Sequence, residues 1–526
     1  MAPASNKTVS RRDCLRGGVT LAAGALVAGC GSSSGARTTT SSASPAGRPR
    51  RGGTLRTAFT GGTSADNLNP NQAIQNLDFI RVANLYDPLV QLTPEGTAEL
   101  VLAEEITPNS QATEWTIRIH QGVEFHNGKE LTSEDVVWTL HSILNPKAPG
   151  WQASFFTPMD NNAITALDKY TVRIGCLRPF SILVEALSCS GASCILPVGW
   201  TESNPVGTGP FKFKSFTPGY QSTFTRNPNY WQSALPYVDE LIIVDYADET
   251  TQVNALLSDS TDIIAPLSYA SIAALKPAGM HVLAGNSYEQ IMFTMRVDMP
   301  PFNDVRVRQA LRYVVDRPAM LETVFGGYGT LGNDILGIGA PEYDNALPQR
   351  GQDIGLAKSL LKAAGQESLS VQLVTGNITQ GTLSMAEVLA EQASAAGVRI
   401  NLKQVTSTVL YGPDYLKWLF AQDYSYYAYL FPAIGQFLIP GGPFNETHFD
   451  DPQLNALFNE GMSTLNVAKR NDIGHEICKI QYDSGGYIIP VTPPLISAAN
   501  PKVQGLYSGV NGVTPNYGSF ARVWIR

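Results

Sequence analysis

The chain has 526 residues, which is too long for one hydrophobic core and suggests roughly three domains. Hydrophobic residues make up 43% of the sequence and charged residues 16%, with a net charge of −8, a composition typical of a globular rather than a disordered protein. No basic stripe is present outside the N-terminus, which argues against nucleic acid as a partner.

The N-terminus has the pattern of an export signal. The arginine pair Arg11 and Arg12 precedes an apolar stretch at 19–29, which is too short to span a bilayer. This stretch ends in small residues before Cys30, a pattern that resembles a bacterial lipobox, in which the cysteine is acylated after the preceding peptide is removed. The sequence therefore predicts a signal peptide over 1–29, of twin-arginine or general export type, and a lipid anchor at Cys30.

Residues 30–51 are rich in small and polar residues and predict a flexible stalk. The body beyond it contains Cys176, Cys189, Cys194 and Cys478, and four thiols permit three pairings. Cys189 and Cys194 are close enough in sequence to reach each other. In an oxidising compartment they could form a disulfide, and the alternative is two small buried residues.

Strand and helix patterns alternate along the body, which predicts an α/β fold. Residues 115–119 alternate between apolar and polar side chains, as in a half-buried strand. Thr132 with Asp135 forms a capping box that predicts a helix to about residue 144. No apolar run approaches 18 residues, so we expect the body not to cross a membrane.

The second half of the chain has more sharply defined units. Asp304 and Asp316 each predict the start of a helix. A strand at 368–375, a helix at 383–396 and a strand at 398–405 form a strand–helix–strand unit, in which the two strands are expected to be parallel.

Motifs for catalysis or cofactor binding are weak. Residues 327–332 spell GxGxxG, but a helix precedes them and no helix is predicted after them, so we expect a glycine-rich turn rather than a nucleotide site. The six histidines are scattered, and the sequence has no HExxH, GxxxxGK[ST], GxSxG or CxxC motif. The sequence therefore predicts a protein that is not an enzyme and that has no metal or cofactor.

Several segments of the body match, in order, those of a known family: Leu85–Val90 (LYDPLV), Trp115–Thr132, Val206–Phe211 (VGTGPF), Arg226–Trp231 (RNPNYW) and Pro301–Leu311. With these segments, the chain from about residue 52 to 503 resembles the family 5 extracellular solute-binding proteins of ABC importers. The resemblance implies a periplasmic-binding-protein-like α/β fold, with two lobes, an additional domain (cluster C type) and the ligand between the lobes.

The resemblance also implies boundaries and a role. Lobe one would comprise 52–84, 200–290 and 489–526, with the additional domain at 85–199 and lobe two at 291–488. The protein would be a monomer on the extracytoplasmic face of the membrane. It would capture a small solute, a peptide or peptide-like compound, by lobe closure and deliver it to a permease. The alternatives are a ligand-sensing receptor on the same scaffold, or capture of a non-peptide such as an oligosaccharide.

In peptide-binding members, a carboxylate in lobe two pairs with the α-ammonium of the peptide. The corresponding stretch here, 426–437, lies between Asp423 and Glu446 and contains no acidic residue. Because a buried ammonium needs a charge partner, that anchor is either missing or supplied elsewhere.

The same stretch offers aromatic surface and an amide, which suit stacking and orientation of a ligand. By position in the family, the predicted ligand-binding residues are Trp151, Phe155, Tyr269, Tyr426, Tyr429, Phe431, Gln436 and Phe437, with Gln75 and Asn76 as weaker candidates. The alternative for the stretch is that Tyr426, Ala428 and Leu430 simply face the core.

Overall fold

The computed structural model describes residues 47–73, 75–189, 193–508 and 515–526. The predicted export signal with Arg11 and Arg12, the predicted anchor Cys30 and most of the predicted stalk lie outside these residues. No helix within the described ranges is long and apolar enough to cross a membrane.

The strands are numbered in chain order through the described residues. They are β1 (Thr54–Thr60), β2 (Val90–Leu92), β3 (Ala98–Leu100), β4 (Ala103–Pro108), β5 (Glu114–Ile119), β6 (Met159–Asp168), β7 (Thr171–Cys176), β8 (Phe211–Thr217), β9 (Gln221–Arg226), β10 (Glu240–Tyr246), β11 (Ile263–Ile264), β12 (His281–Asn286), β13 (Glu289–Met295), β14 (Thr330–Leu331), β15 (Ser370–Thr375), β16 (Arg399–Gln404), β17 (Phe420–Tyr426), β18 (Tyr487–Ile488), β19 (Val491–Thr492), β20 (Pro494–Ala499), β21 (Val503–Gln504) and β22 (Trp524–Ile525).

The α-helices are numbered in the same way. They are α1 (Asn76–Leu85), α2 (Ser133–Ile143), α3 (Leu183–Ser188), α4 (Glu249–Leu257), α5 (Ile272–Leu275), α6 (Val305–Tyr313), α7 (Arg317–Phe325), α8 (Ile354–Ala363), α9 (Thr382–Ser394), α10 (Ser407–Leu410), α11 (Leu430–Phe437), α12 (Pro452–Ser463) and α13 (Val467–Ser484).

Lobe one is built on a seven-stranded sheet of order β12-β20-β11-β1-β10-β9-β8. Its central strand β1 runs parallel to β10 and β11, and the other pairs are antiparallel. Side chains alternate across the sheet, so Leu55 and Phe59 belong to one apolar core while Ala58 belongs to another on the opposite face. Both faces of this sheet are therefore covered.

Lobe two is built on a five-stranded sheet of order β16-β15-β17-β13-β18. The predicted strand–helix–strand unit is confirmed, since β15 and β16 flank α9 and pair in parallel. The predicted helix starts are also correct: Asp304 caps α6 by accepting from the amide of Arg306 at 2.9 Å, and Asp316 caps α7 by accepting from the amide of Ala319 at 3.0 Å.

A third sheet, of order β4-β5-β7-β6, packs against α2. The predicted capping box is present at the start of α2, where the Asp135 carboxylate accepts from the Thr132 amide at 3.0 Å. Together with the two lobe sheets, this arrangement confirms the predicted two-lobe α/β fold.

The chain passes between the two lobe sheets at two neighbouring places. Residues 287–288 connect β12 to β13, and residues 489–493 connect β18 to β20. The Ser287 hydroxyl donates to the carbonyl of Pro493 at 2.8 Å, so the two crossover segments are joined to each other.

The glycine-rich segment 327–332 forms a turn and strand β14, which pairs with β19, and no helix follows it. Gly329 has φ +103°, and a Cβ there would fall 2.3 Å from the carbonyl oxygen of Thr492. The close approach of the two strands accounts for a glycine at this position.

Cys176, Cys189, Cys194 and Cys478 are free thiols, so the disulfide considered between Cys189 and Cys194 is not formed in this structure. Cys194 is buried, and burial raises the pKa of the Cys189 thiol to about 12. Cys189 is half-buried, and its pairing with Cys194 stays a prediction.

Candidate functional site

A cavity of about 800 Å³ lies where the two lobes and the β4–β7 region meet. Lobe one contributes Thr60, Gly61 and residues 493–495, and lobe two contributes Glu289 and the end of β17. A volume of this size accommodates a small organic molecule or a short peptide.

One wall of the cavity is a chain of aromatic rings. The ring centroids of Trp151 and Phe155 are 5.8 Å apart, those of Phe155 and Tyr427 are 5.8 Å apart, and those of Tyr427 and Phe437 are 5.6 Å apart. The Trp151 indole is fixed by donating its N–H to the carbonyl of Pro70 at 2.9 Å. The wall is preorganised for stacking on a ring or for contact with a cation.

Most of the sequence-predicted residues line this cavity, whether or not they bind ligand. Those in its wall are Trp151, Phe155, Tyr426, Tyr429 and Phe437, together with the weaker candidates Gln75 and Asn76. They come from four separate elements: the turn at 151–156, the end of β17, helix α11 and the start of α1.

Three predicted residues are placed elsewhere. Tyr269 is 38% exposed and its ring lies against Gly326 of lobe two, where an added Cβ would come within 2.5 Å of it. Phe431 points to the other side of α11 and packs against Phe458. Gln436 is buried and donates to the carbonyl of Ser154 at 3.1 Å. These three side chains contact other parts of the lobes or the core and do not line the cavity.

The cavity also contains a carboxylate that sequence reasoning missed. Glu289 is the first residue of β13 and is only 7% exposed. Its carboxylate accepts a hydrogen bond from Thr379 Oγ1, and the Tyr426 hydroxyl is a second partner. Burial raises the pKa of Glu289 to about 7, and these hydroxyls only partly offset that effect.

A second carboxylate, Asp423, reaches the same wall from β17. It accepts hydrogen bonds from the hydroxyls of Tyr411 at 2.7 Å and Tyr415 at 3.0 Å. The single hydrogen of the Tyr415 hydroxyl is shared with Glu446, whose carboxyl oxygen lies 2.6 Å away. Burial together with the nearby Asp423 raises the pKa of Glu446 well above its usual range. The Glu446 carboxyl is also a hydrogen-bond partner of Asp423, and Asp423 lines the cavity.

Among the described residues, the charged side chains that line the cavity are all acidic. Among the described residues, no lysine, arginine or histidine lines it. Ser425, which lies between the two carboxylates in the wall and is 3% exposed, has a hydroxyl without a hydrogen-bond partner among the described residues. Within the same ranges, no group of three or more His, Cys, Asp or Glu is arranged to hold a metal ion.

A sequence signal for Glu289 does exist. It is the only acidic residue between His281 and Val297, and it opens the otherwise uncharged run 290–295, which forms an entirely buried strand. The family position of the acid corresponds to 426–437, whereas strand pairing places Glu289 directly opposite Tyr426. The side chain is thus close to the expected position in space but far from it in sequence.

A sequence model of the bacterial extracellular solute-binding proteins, family 5 Middle, matches residues 97–445. The Glutathione-binding protein GsiB of Pectobacterium atrosepticum is 23% identical over 470 residues, which cover 85% of this chain and 90% of that protein.

Solved structures show the same fold. The periplasmic binding protein AgaA of A. tumefaciens R10, in complex with agropinic acid, has a TM-score of 0.77 and 24% identity over 90% of this chain and 99% of its own. The ABC transporter-associated periplasmic binding protein DppA of Helicobacter pylori, in complex with the peptide STSA, has a TM-score of 0.76 and 18% identity over 90% and 98% of the two chains.

Proposed function

The chain belongs to the bacterial extracellular solute-binding proteins of family 5, and from this premise we propose that it captures a small peptide or peptide-like solute between its lobes and delivers it to the permease of an ABC importer. The observation that carries the proposal is the cavity of about 800 Å³, whose wall draws on both lobes and on the aromatic turn at 151–156. A ligand there contacts both lobes at once, so its binding energy favours the closed arrangement.

A peptide-like solute is supported by the combination of side chains in the wall. The rings of Phe155 and Tyr427 offer apolar surface for side chains, and Glu289 offers a partner for an amino group. The carboxylate that was expected along 426–437 would thus be supplied from β13. A relative is named for binding glutathione, and a protein of the same fold was solved with a peptide.

An oligosaccharide is the second candidate ligand. Its support is the run of rings from Trp151 to Phe437, because aromatic faces stack on sugar rings. The two buried carboxylates favour the amine-bearing ligand over the neutral one, since a sugar would leave them without a charged partner.

We also propose that the protein is tethered to the membrane and that it does not convert its ligand chemically. Acylation of Cys30 would hold a monomeric protein on the extracytoplasmic face, and residues 31–51 would give it reach. A Cys30→Ser variant is expected to leave the membrane fraction for the soluble one. Its persistence in the membrane fraction would contradict the tether and leave solute capture unaffected.

The capture role is tested by identifying the cargo and then measuring lobe closure. Mass spectrometry of small molecules released from the purified protein should give a compound bound in stoichiometric amount and released unchanged. Saturation with that compound should lower the radius of gyration in solution scattering. A saturating ligand that leaves the scattering profile unchanged would contradict closure, and chemical conversion of the ligand would contradict a binding role.

A further inference from the structure

We propose that the ligand is an organic cation, carrying an ammonium or guanidinium group and no free carboxylate in its enclosed part. This inference rests on the proposed function, because it concerns the same cavity. It specifies the charge of the ligand, which the fold alone does not determine.

The first step is the charge of the wall. Glu289 and Asp423 both line the cavity, and no basic side chain of the described residues does so. Neither carboxylate has a lysine, arginine or histidine within ion-pairing distance in the described part of the chain. Glu289 accepts from the Thr379 hydroxyl, and Asp423 accepts from the hydroxyls of Tyr411 and Tyr415 and from the Tyr424 amide. The Glu446 carboxyl is a further hydrogen-bond partner of Asp423, so none of these partners is a cation. A buried carboxylate without a cation is costly, so a cationic ligand group would supply what the protein omits.

The second step is the position of the two acids. Glu289 pairs across the strands with Tyr426, while Asp423 pairs with Met292 three positions along β17. Since side chains alternate, the acids lie on opposite faces of the β13–β17 ribbon, and both line the cavity. Tyr424 lies between them and interacts electrostatically with both. Both carboxylates therefore belong to the part of the cavity wall around Tyr424.

The third step is an independent polar group. The Ser425 hydroxyl is nine-tenths or more buried, lines the cavity and has no partner among the described residues. A hydroxyl can accept as well as donate. The Ser425 oxygen can therefore accept from an N–H of an ammonium or guanidinium group whose other N–H groups bind a carboxylate. A buried polar atom of this kind indicates a place for a ligand atom.

The N-terminus of α1 is the feature that opposes the inference. Gln75 and Asn76 line the cavity, and a helix N-terminus attracts anions. However, the first turn of α1 already contains the buried Asp78, whose carboxylate accepts from the amide of Asn67 at 3.0 Å and from Arg81 at 3.1 Å. Asp78 does not line the cavity, but as an acidic residue in the first turn it offsets part of the positive end of the helix dipole. The helix end therefore does not reverse the charge preference.

The test uses matched probes on the purified full-length protein after its cargo has been removed by unfolding and refolding. Alanyl-phenylalanine amide is a cation, alanyl-phenylalanine a zwitterion, and N-acetyl-alanyl-phenylalanine amide is neutral, with nearly equal size. A wider panel of amines, guanidines, quaternary ammonium ions, neutral sugars and dicarboxylates is scored by its effect on Tm. We expect cations to raise Tm, and the amide to bind more tightly than either of its matched analogues.

Two results would overturn the inference. One is stabilisation by the zwitterion, the neutral analogue or a dicarboxylate that equals or exceeds that by the best cation. The other is a panel in which no cation raises Tm. In the first case the solute-capture role stands, since a ligand has been found, and only the charge assignment fails. In the second case, if no compound of any class raises Tm, the result also counts against capture of a small solute.

Variants locate the charge that is responsible. Glu289→Gln keeps the size of the side chain and one acceptor oxygen but removes the charge, and at pH 8 we expect it to weaken binding of the best cation about 10- to 100-fold. Asp423→Asn is expected to weaken the same cation as well. Glu476→Gln, an exposed carboxylate on α13 with the same change in charge, should leave the affinity unchanged. Equal losses from Glu289→Gln and Glu476→Gln would overturn the assignment to the cavity.

Discussion

The Thr379 hydroxyl donates a hydrogen bond of 2.5 Å to the carboxylate of Glu289, which joins the segment between β15 and α9 to the first residue of β13. The contact orients a buried acid toward the interlobe cavity and does not neutralise it. Glu289 therefore carries an unfavourable ionisation in the free protein, and this has measurable consequences for stability and for binding.

The first prediction concerns the stability of the ligand-free protein. Burial raises the pKa of Glu289 from its ordinary value of 4.5 to about 7, so the folded state holds this proton more tightly than the unfolded state. Stability is therefore lost as the pH rises through this interval. Glu289→Gln cannot ionise. We expect it to match the wild type near pH 4 and to exceed it by up to about 3 kcal/mol near pH 8.

Chemical denaturation at several pH values measures this difference. The groups that face Glu289 are Thr379, Tyr424, Tyr426 and, across the ribbon, Asp423, and all are unchanged in the variant. An equal stability gap at pH 4 and pH 8 would show that the variant acts through packing and not through ionisation.

The second prediction concerns the pH dependence of binding. A cation binds the ionised form of Glu289, so its affinity should rise between pH 5.5 and 7 by at most about tenfold per pH unit and level off above pH 7. Calorimetric titration of the wild type with the best cation measures this profile. In Glu289→Gln the profile should be nearly flat, and a wild-type slope that persists in the variant would assign the titration to another group.

The third prediction concerns the aromatic wall. Phe155 lies between Trp151 and Tyr427 and borders the cavity. Its replacement by alanine removes ligand contact and is expected to weaken binding about 10-fold. Phe213→Ala, at a residue that is 37% exposed on β8, provides the control and should bind like the wild type. Unchanged affinity in Phe155→Ala would remove this ring from the site.

The fourth prediction concerns a buried charge cluster in lobe two. Asp334 is fully buried and accepts hydrogen bonds from Arg317 at 2.7 Å and Arg350 at 2.9 Å, with Arg312 at 4.0 Å. Burial alone would raise the pKa of Asp334, but the three guanidinium groups together hold it below its usual range. Asp334→Asn would leave buried arginines without a counter-charge.

We expect Asp334→Asn to destabilise the protein by about 3–5 kcal/mol. Asparagine also tolerates the φ of +63° at this position, so the substitution isolates the charge from the backbone. Asp414→Asn breaks an exposed pair with Lys417 and should cost less than about 1 kcal/mol. Equal midpoints of denaturation for the two variants would contradict a structural role for the cluster.

Local patterns predicted much of the fold because they act over a few residues. The capping residues Thr132, Asp304 and Asp316 begin the helices as expected, since a cap needs only its own backbone. The parallel unit at 370–404 also follows from periodicity and connection length.

The site was less predictable because it depends on contacts between distant segments. Family position placed Phe431 and Phe437 together as candidates, yet they are six residues apart on α11 and face different environments. Glu289 enters the cavity through its pairing with Tyr426, 137 positions away, and that register is set by tertiary packing. The tether at Cys30 stays a prediction, because it lies outside the described residues.

The joined crossover segments, with Ser287 bound to Pro493, give the acid wall an additional property. Glu289 follows the first crossover by one residue, and Pro494 and Leu495, which also line the cavity, follow the second. The pivot between the lobes and the cargo's charged partner therefore share one short stretch of backbone. Inserting even one residue there would displace the carboxylate relative to the aromatic wall. The length of these two connections is therefore constrained by ligand binding as well as by lobe closure.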